Sequence, residues 1–223
     1  MISKHTGEIV KKEIINDKYI LLDIKSKDKL QYKSGQYISL FIKDKIQKSF
    51  SIYSSNNSNI LSLGIKIYPN GIASNAILSE YNIKDKIDFL GPVGNFYYRD
   101  DNAEKIIFIA TGIGIIPIKG ILDELILNSI RKDYYLFWGT REEDDLIFDF
   151  KINKIKYYPI ISGSSNNKYK QGYVQNYINN VPSIDINTSF YICGSPENVD
   201  SIKYFIKDEF NNINFNKIYT EKF

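Results

Sequence analysis

At 223 residues the chain is long enough for one large domain or for two of about a hundred residues, each able to bury a core. Its net charge of +3, from 29 Lys and Arg against 26 Asp and Glu, is too small and too scattered to argue for nucleic acid, yet compatible with an acidic protein partner. One cysteine, Cys193, excludes an internal disulfide and any cysteine-ligated cluster or structural zinc site made by this chain alone, and one histidine, His5, speaks against a His-based triad or metal site. What remains is chemistry carried by a bound organic cofactor.

The opening residues contain no apolar stretch of the signal-peptide kind, and the longest apolar run, near 106–118, is broken by glycine and too short to span a bilayer. A cytoplasmic chain with no membrane anchor is expected. Short β-rich segments come first, at 8–15, 19–24, 36–42, 48–53, 61–68 and 86–90, with a short helical candidate at 73–78. Strands at this spacing predict a small antiparallel barrel. Regular alternation along 48–51 puts Lys48 and Phe50 on one face and Ser49 and Ser51 on the other, so aiming Phe50 and Ser51 at one ligand requires a local bend or a backbone contact.

Arg99-Asp100-Asp101-Asn102 reads as a polar linker, dividing the chain into domains 1–99 and 100–223. Beyond it, strands at 105–110, 134–139, 157–161, 189–193 and 217–220 alternate with helices at 118–129, 174–179 and 197–209. That alternation predicts an α/β, Rossmann-like parallel sheet covered by helices. Its first strand, Ile106-Ile107-Phe108-Ile109-Ala110, is apolar throughout, as a strand buried on both faces must be. Thr111-Gly112-Ile113-Gly114 follows, with Pro117 suited to the first turn of a helix. Positive φ at Gly112 and Gly114 is expected to let the backbone approach a ligand, and a fresh helix N-terminus offers N–H groups to a pyrophosphate. The turn lacks the third glycine of the usual dinucleotide fingerprint, so a tight turn that binds nothing is the alternative.

Several motifs, in order, resemble those of the ferredoxin–NADP reductase superfamily. Lys48-Ser49-Phe50-Ser51 is similar to its flavin motif Arg-x-Tyr-Ser, Gly71-Ile72-Ala73-Ser74 to its Gly-x-x-Ser flavin-phosphate motif, and Gly91-Pro92-Val93-Gly94-Asn95-Phe96 to the end of its barrel. Thr111 to Pro117 resembles the nicotinamide-pyrophosphate loop, Phe137-Trp138-Gly139-Thr140-Arg141 the following strand end, Cys193-Gly194-Ser195-Pro196 the Cys-Gly-x-Pro motif, and Glu221-Lys222-Phe223 the Glu-x-aromatic terminus.

The resemblance implies a flavin-binding barrel followed by an NAD(P)-binding sheet, with FAD bound and NADPH or NADH as co-substrate. Lys48 then faces a flavin phosphate, Phe50 lies on the isoalloxazine ring, Ser51 bonds flavin N5, and Gly71 and Ser74 hold a flavin phosphate. Thr111, Gly112 and Gly114 take the coenzyme pyrophosphate, Cys193 and Gly194 the nicotinamide, and Phe223 covers the flavin face as a gate. The candidate catalytic groups are Ser51, Cys193 and Glu221, acting by position and charge and not as nucleophiles, because hydride transfer needs donor and acceptor aligned at about 3–3.5 Å more than it needs an acid or base. Plainer roles stand beside these: Phe50 in the barrel core, Ser74 as a helix cap, Cys193 as an inert buried thiol. Lys48 and Phe50 depart from the family's arginine and tyrosine, removing a bidentate fork and a hydroxyl.

For coenzyme choice, Ser162 and Tyr173 match positions that hold the 2′-phosphate of NADPH, but Gly163 stands where an arginine is expected. Lys168 and Lys170 are the substitute charges, and an arginine placed at 163 is expected to sharpen the NADPH preference. The reading is a monomeric NAD(P)H oxidoreductase passing electrons singly to ferredoxin or flavodoxin. The alternatives are an NAD(P)H:flavin reductase releasing reduced flavin, and a reductase subunit of a multi-component electron-transfer system.

Overall fold

The computed structural model describes residues 3–27, 29–43, 46–56, 59–150, 154–163 and 168–223. They form two compact units. One runs to Tyr98 and also contains Lys119–Ser129, and the other comprises Arg99–Ile118 and Ile130–Phe223.

The first unit holds strands β1 (Lys4–Ile15), β2 (Tyr19–Ser26), β3 (Tyr37–Ile42), β4 (Ile46–Ser51) and β5 (Ile60–Lys66), helix α1 (Ile72–Glu80) and strand β6 (Lys86–Val93). The strands lie in the order β4-β3-β6-β1-β2-β5, and every pairing is antiparallel. Asn16 and Asp17 turn β1 into β2 with φ of 51° and 54°, a conformation that short side-chain amides and carboxylates tolerate in tight hairpins. Just past β4, Ile52 bridges to Leu63 of β5 and the Tyr53 N–H donates to the Ser62 carbonyl at 2.8 Å, so the two edge strands meet and the sheet closes.

Inside, Ile20, Leu22, Ile38, Leu40, Leu63 and Phe89 make the core, into which α1 presents Ala73 and Ile77. The carbonyl end of α1 is capped by Lys12, whose Nζ donates to the Leu78 and Tyr81 carbonyls at 2.7 Å each. Strand β1 begins four residues before the expected position because Lys4 to Glu8 pair with Leu90 to Lys86 of β6. That pairing is long-range, and the polar stretch shows no local alternation to reveal it.

The second unit contains β7 (Lys105–Thr111), a 3₁₀ turn (Gly112–Gly114), and the start of helix α2 (Ile115–Leu127). After these come β8 (Asp133–Thr140), a 3₁₀ turn (Glu143–Asp145), β9 (Ile155–Ile161) and the two-residue β10 (Lys170–Gln171). Helix α3 (Gln175–Ile178), β11 (Thr188–Gly194), α4 (Pro196–Glu209), a 3₁₀ turn (Phe215–Lys217) and β12 (Ile218–Lys222) complete it. The order is β10-β9-β8-β7-β11-β12 and all pairings are parallel. The chain builds outward from β7 on one side and then returns to its other side, so the reversal between β7 and β11 opens a crevice at the carboxyl ends of the strands.

Helix α4 starts on Ser195, whose Oγ accepts from the Asn198 N–H at 3.4 Å, with Pro196 in its first turn. It buries Val199, Ile202 and Ile206 at helical spacing against Ile107, Ile109, Phe190 and Ile192. Each such side chain contributes about 1.5–3 kcal/mol. Residues 99–102, expected as a linker, are anchored to this sheet. The Asp101 carboxylate accepts from Ser189 Oγ at 2.6 Å and from Tyr219 Oη at 2.9 Å, and the Arg99 N–H donates to Tyr191 Oη at 2.8 Å. Burial, and then the bond to Asp101, push the Tyr219 phenol up to about 12. No helix among the described residues is long and apolar enough to cross a membrane.

Candidate functional site

The loops after β7 and β11 interlock at the crevice. Gly112 has φ of +53° and open space within 4 Å of where a Cβ would stand, which suits a backbone approached by a ligand. Gly114 does not share that conformation, contrary to the expectation of positive φ at both glycines; a Cβ there would instead strike the Cys193 carbonyl. Gly194 is confined in the same way, since its Cβ would collide with Thr111 Oγ1. The two glycines therefore serve loop-to-loop packing.

Trp138 at the end of β8 donates its Nε1–H to the Gly112 carbonyl at 2.9 Å, fixing the turn from the neighbouring strand. Thr111 Oγ1 is buried with no hydrogen-bond partner among the described residues. An orphan hydroxyl beside an open glycine, at the start of a helical segment whose first N–H groups lack internal acceptors, fits a phosphate-bearing coenzyme.

Cys193 sits in register between Ala110 of β7 and Glu221 of β12 and is fully buried. Burial first, and the Glu221 charge second, push its thiol well up, so it stays protonated and is no nucleophile. Burial likewise raises the Glu221 carboxyl. Lys222 pairs with Asp200 of α4 at 2.6 Å, and the Phe223 N–H donates to the Gly194 carbonyl at 3.2 Å while its ring remains exposed. Thr111, Gly114, Cys193, Gly194, Glu221 and the backbone of Phe223 thus converge on one edge of the sheet.

Farther along that edge, the Ser162 N–H and Oγ–H both donate to the Thr140 carbonyl, at 2.8 and 3.2 Å. The Gly163 N–H donates to the Arg141 carbonyl at 2.9 Å, and a Cβ on Gly163 would lie only 2.5 Å from that oxygen. An arginine at 163 is therefore not a simple addition: it must first move the end of β8, which corrects the expectation drawn from the sequence. Lys168 pairs with Glu143 at 2.6 Å, a bond that raises its ammonium pKa. Tyr173 has an exposed ring, and its N–H donates to Asn176 Oδ1 at 3.2 Å. Trp138 and Arg141 were quoted from the sequence only as part of a strand-end motif, with no role assigned, and Glu143 was not singled out. The only local signals were a lone tryptophan at a strand end and an Arg-Glu-Glu-Asp-Asp run, whose Glu142 and Asp145 cap the 3₁₀ turn.

In the first unit, regular pairing persists to the end of β4. Lys48 lies opposite Leu40, Ser49 opposite Ser39, Phe50 opposite Ile38 and Ser51 opposite Tyr37. Ser49 and Ser39 share a hydroxyl–hydroxyl bond of 2.8 Å, Phe50 packs partly against the barrel core, Ser51 is buried on the opposite face, and Lys48 is exposed. Phe50 and Ser51 thus face opposite ways through β4, with no bend between them.

At the start of α1, Gly71 occupies the cap position and Ser74 the third helical residue. Ser74 Oγ donates to the Gly71 carbonyl at 3.1 Å and accepts from the Tyr68 N–H at 3.3 Å, so it closes the loop before the helix and is not the cap. The N–H groups that open α1 fit an anionic phosphate. Among the described residues no three His, Cys, Asp or Glu side chains gather as metal ligands.

Two domain families match the chain in this order: the Oxidoreductase FAD-binding domain over residues 6–98 and the Oxidoreductase NAD-binding domain over 108–203. The chain belongs to the ferredoxin–NADP reductase superfamily of FAD- and NAD(P)-binding oxidoreductases. It is 31% identical over 177 residues to the CDP-6-deoxy-L-threo-D-glycero-4-hexulose-3-dehydrase reductase of Yersinia pestis, covering 75% of this chain and 53% of that protein. Against the anthranilate 1,2-dioxygenase electron transfer component of Acinetobacter baylyi it is 28% identical over 204 residues, 87% of this chain and 59% of that one. The fold matches a ferredoxin NADP+ reductase from Neisseria gonorrhoeae with TM-score 0.84 at 20% identity, covering 98% of both chains. The chain spans little more than half the length of the curated relatives it matches.

Proposed function

We propose that this protein is the flavoprotein component of an electron-transfer system, oxidising NAD(P)H and delivering electrons singly to a small ferredoxin- or flavodoxin-like carrier. The observation that carries this is the order of the two matched domains, FAD-binding then NAD-binding, on a chain whose glycine turn leaves Thr111 Oγ1 unpartnered at the crevice. A flavin held by these residues would supply hydride-accepting chemistry and the means to pass two electrons on singly. The chain's residues bind and orient. Lys48, Gly71 and Ser74 hold flavin phosphates; Phe50 addresses the flavin ring with its side chain and Ser51 with its backbone; Thr111, Gly112 and Gly114 take the coenzyme's pyrophosphate. Cys193 and Gly194 present a small, neutral surface to the nicotinamide. Glu221 adds negative charge beside them.

Exposed Lys48 and the internally bonded Ser74 favour a second reading, in which the flavin is held loosely and leaves after reduction. Purification separates them. A yellow protein that reduces an added ferredoxin with NAD(P)H supports the first. A colourless protein active only with added flavin supports the second, and no flavin binding at all removes both.

A further inference from the structure

Of the side chains available for a 2′-phosphate, Ser162 is bonded to the Thr140 carbonyl and Lys168 is paired with Glu143, while Tyr173 has an exposed ring. Resting on the function proposed above, a pyrophosphate at the end of β7 places the coenzyme's adenosine toward β8 and β9, because adjacent strands lie about 5 Å apart and the crevice's other side carries Cys193. The ends of β8 and β9 are bonded together there through Ser162 to Thr140 and Gly163 to Arg141. Ser162 gives its only hydroxyl proton to the Thr140 carbonyl. Gly163 has no room for a side chain that would reach out. Lys168, the lysine nearest in sequence, has its ammonium 2.6 Å from a Glu143 oxygen. Arg141 adds one positive charge, but Glu142, Glu143 and Asp144 follow it directly.

We infer that Glu143 is a specificity residue for the coenzyme, disfavouring the 2′-phosphate of NADPH by occupying Lys168 and by its own charge, and so tilting the protein toward NADH. To bind NADPH through Lys168, the phosphate must compete with the Glu143 carboxylate for the ammonium and accept that carboxylate beside the lysine, a repulsion that salt screens. NADH brings no such charge. An exposed pair of this kind is modest in strength, so the discrimination is a few-fold, not absolute.

The test uses the flavin-loaded protein and two probes differing only at the 2′ position, adenosine 2′,5′-bisphosphate and AMP, titrated by calorimetry. Glu143→Gln is expected to tighten the bisphosphate about three- to fivefold with AMP unchanged, and to raise the NADPH/NADH ratio of flavin-reduction rates by a similar factor. Adding Lys168→Ala should reduce the gain to the part due to removal of the Glu143 charge, and high salt should shrink that part further. A bisphosphate-to-AMP affinity ratio unaltered by Glu143→Gln overturns the assignment. If that ratio shifts but neither coenzyme reduces the flavin, the specificity role stands and the oxidoreductase reading is what fails.

Discussion

The crevice edge of the parallel sheet and the β4–α1 region of the barrel carry motifs of similar length, yet the structure uses them differently. At the crevice, Gly114 is dictated by backbone: it lets its loop lie where a methyl group would overlap the Cys193 carbonyl. At the barrel, the motif residues are side chains with alternative uses, Ser74 bonded to its own loop and Phe50 packed on the core. A steric requirement between backbones has one solution, whereas a hydroxyl or a ring has several. The first region is therefore constrained in composition and the second in orientation.

Substituting a glycine in each region tests the contrast most severely. Gly114→Ala drives a methyl group into the Cys193 carbonyl, and chemical denaturation should show a loss of about 3 kcal/mol, the top of the range for overpacking, together with loss of coenzyme binding. Gly71→Ala meets the Ser74 hydroxyl at 2.6 Å, on a side chain that can rotate, and Tyr68 Cβ and carbonyl oxygen at 3.1 and 3.2 Å, which need give by only a few tenths of an ångström, and it should lose about 1 kcal/mol. Equal losses would erase the distinction.

Cys193→Ser keeps the shape of the crevice but places a hydroxyl in a fully buried position. A loss of about 1–2 kcal/mol is expected, with flavin still bound and its reduction by NADH slowed in stopped-flow. Reduction at the wild-type rate would leave Cys193 a packing residue.

Glu221 provides a comparison in pH. Its carboxyl is raised by burial, so in the window from the ordinary carboxylate range up to its folded value the native state holds more protons than the unfolded chain. Stability contributed by this group is present below that window and lost as pH rises through it. Glu221→Gln should flatten the decline, and the two proteins' denaturation midpoints should diverge as pH increases. Parallel curves would place Glu221 in solvent.

The smallest effect belongs to Lys48→Ala. The side chain is exposed, so stability should stay within about 0.5 kcal/mol of wild type while FAD affinity falls in a fluorescence titration. Unchanged affinity would remove its phosphate role.

Strands with an apolar signature were legible: β7 is predicted at 105–110 and found at Lys105–Thr111, and α4, predicted at 197–209, begins one residue earlier on Pro196. Elements defined by distant partners were not. Nothing local marks Lys170–Gln171 as a strand; it exists through pairing with Ile160 and Ile161. The same holds within the candidate site. That Gly112 would turn was visible in its sequence, but that Gly114 answers to Cys193, or that Trp138 holds the Gly112 carbonyl, depends on contacts tens of residues apart. Gly163 misled for a related reason, since absence of an arginine looked like a vacancy and is a requirement of the Arg141 backbone.

Helix α2 makes the chain's modularity asymmetric. Its first turn continues the Gly112–Gly114 turn, while Lys119–Ser129 belongs with the barrel, where the Glu124 carboxylate accepts the Ser34 N–H at 3.1 Å and Gly120 lies against Ile52 and Tyr53. The flavin-domain match ends at residue 98, so the barrel is completed by a segment encoded inside its neighbour's half of the sequence. Recombination at the apparent boundary, in evolution or at the bench, would hand the barrel to a new partner without its own helix. Barrel fragments supplied with 119–129 as a separate peptide are the units that respect how this protein is put together.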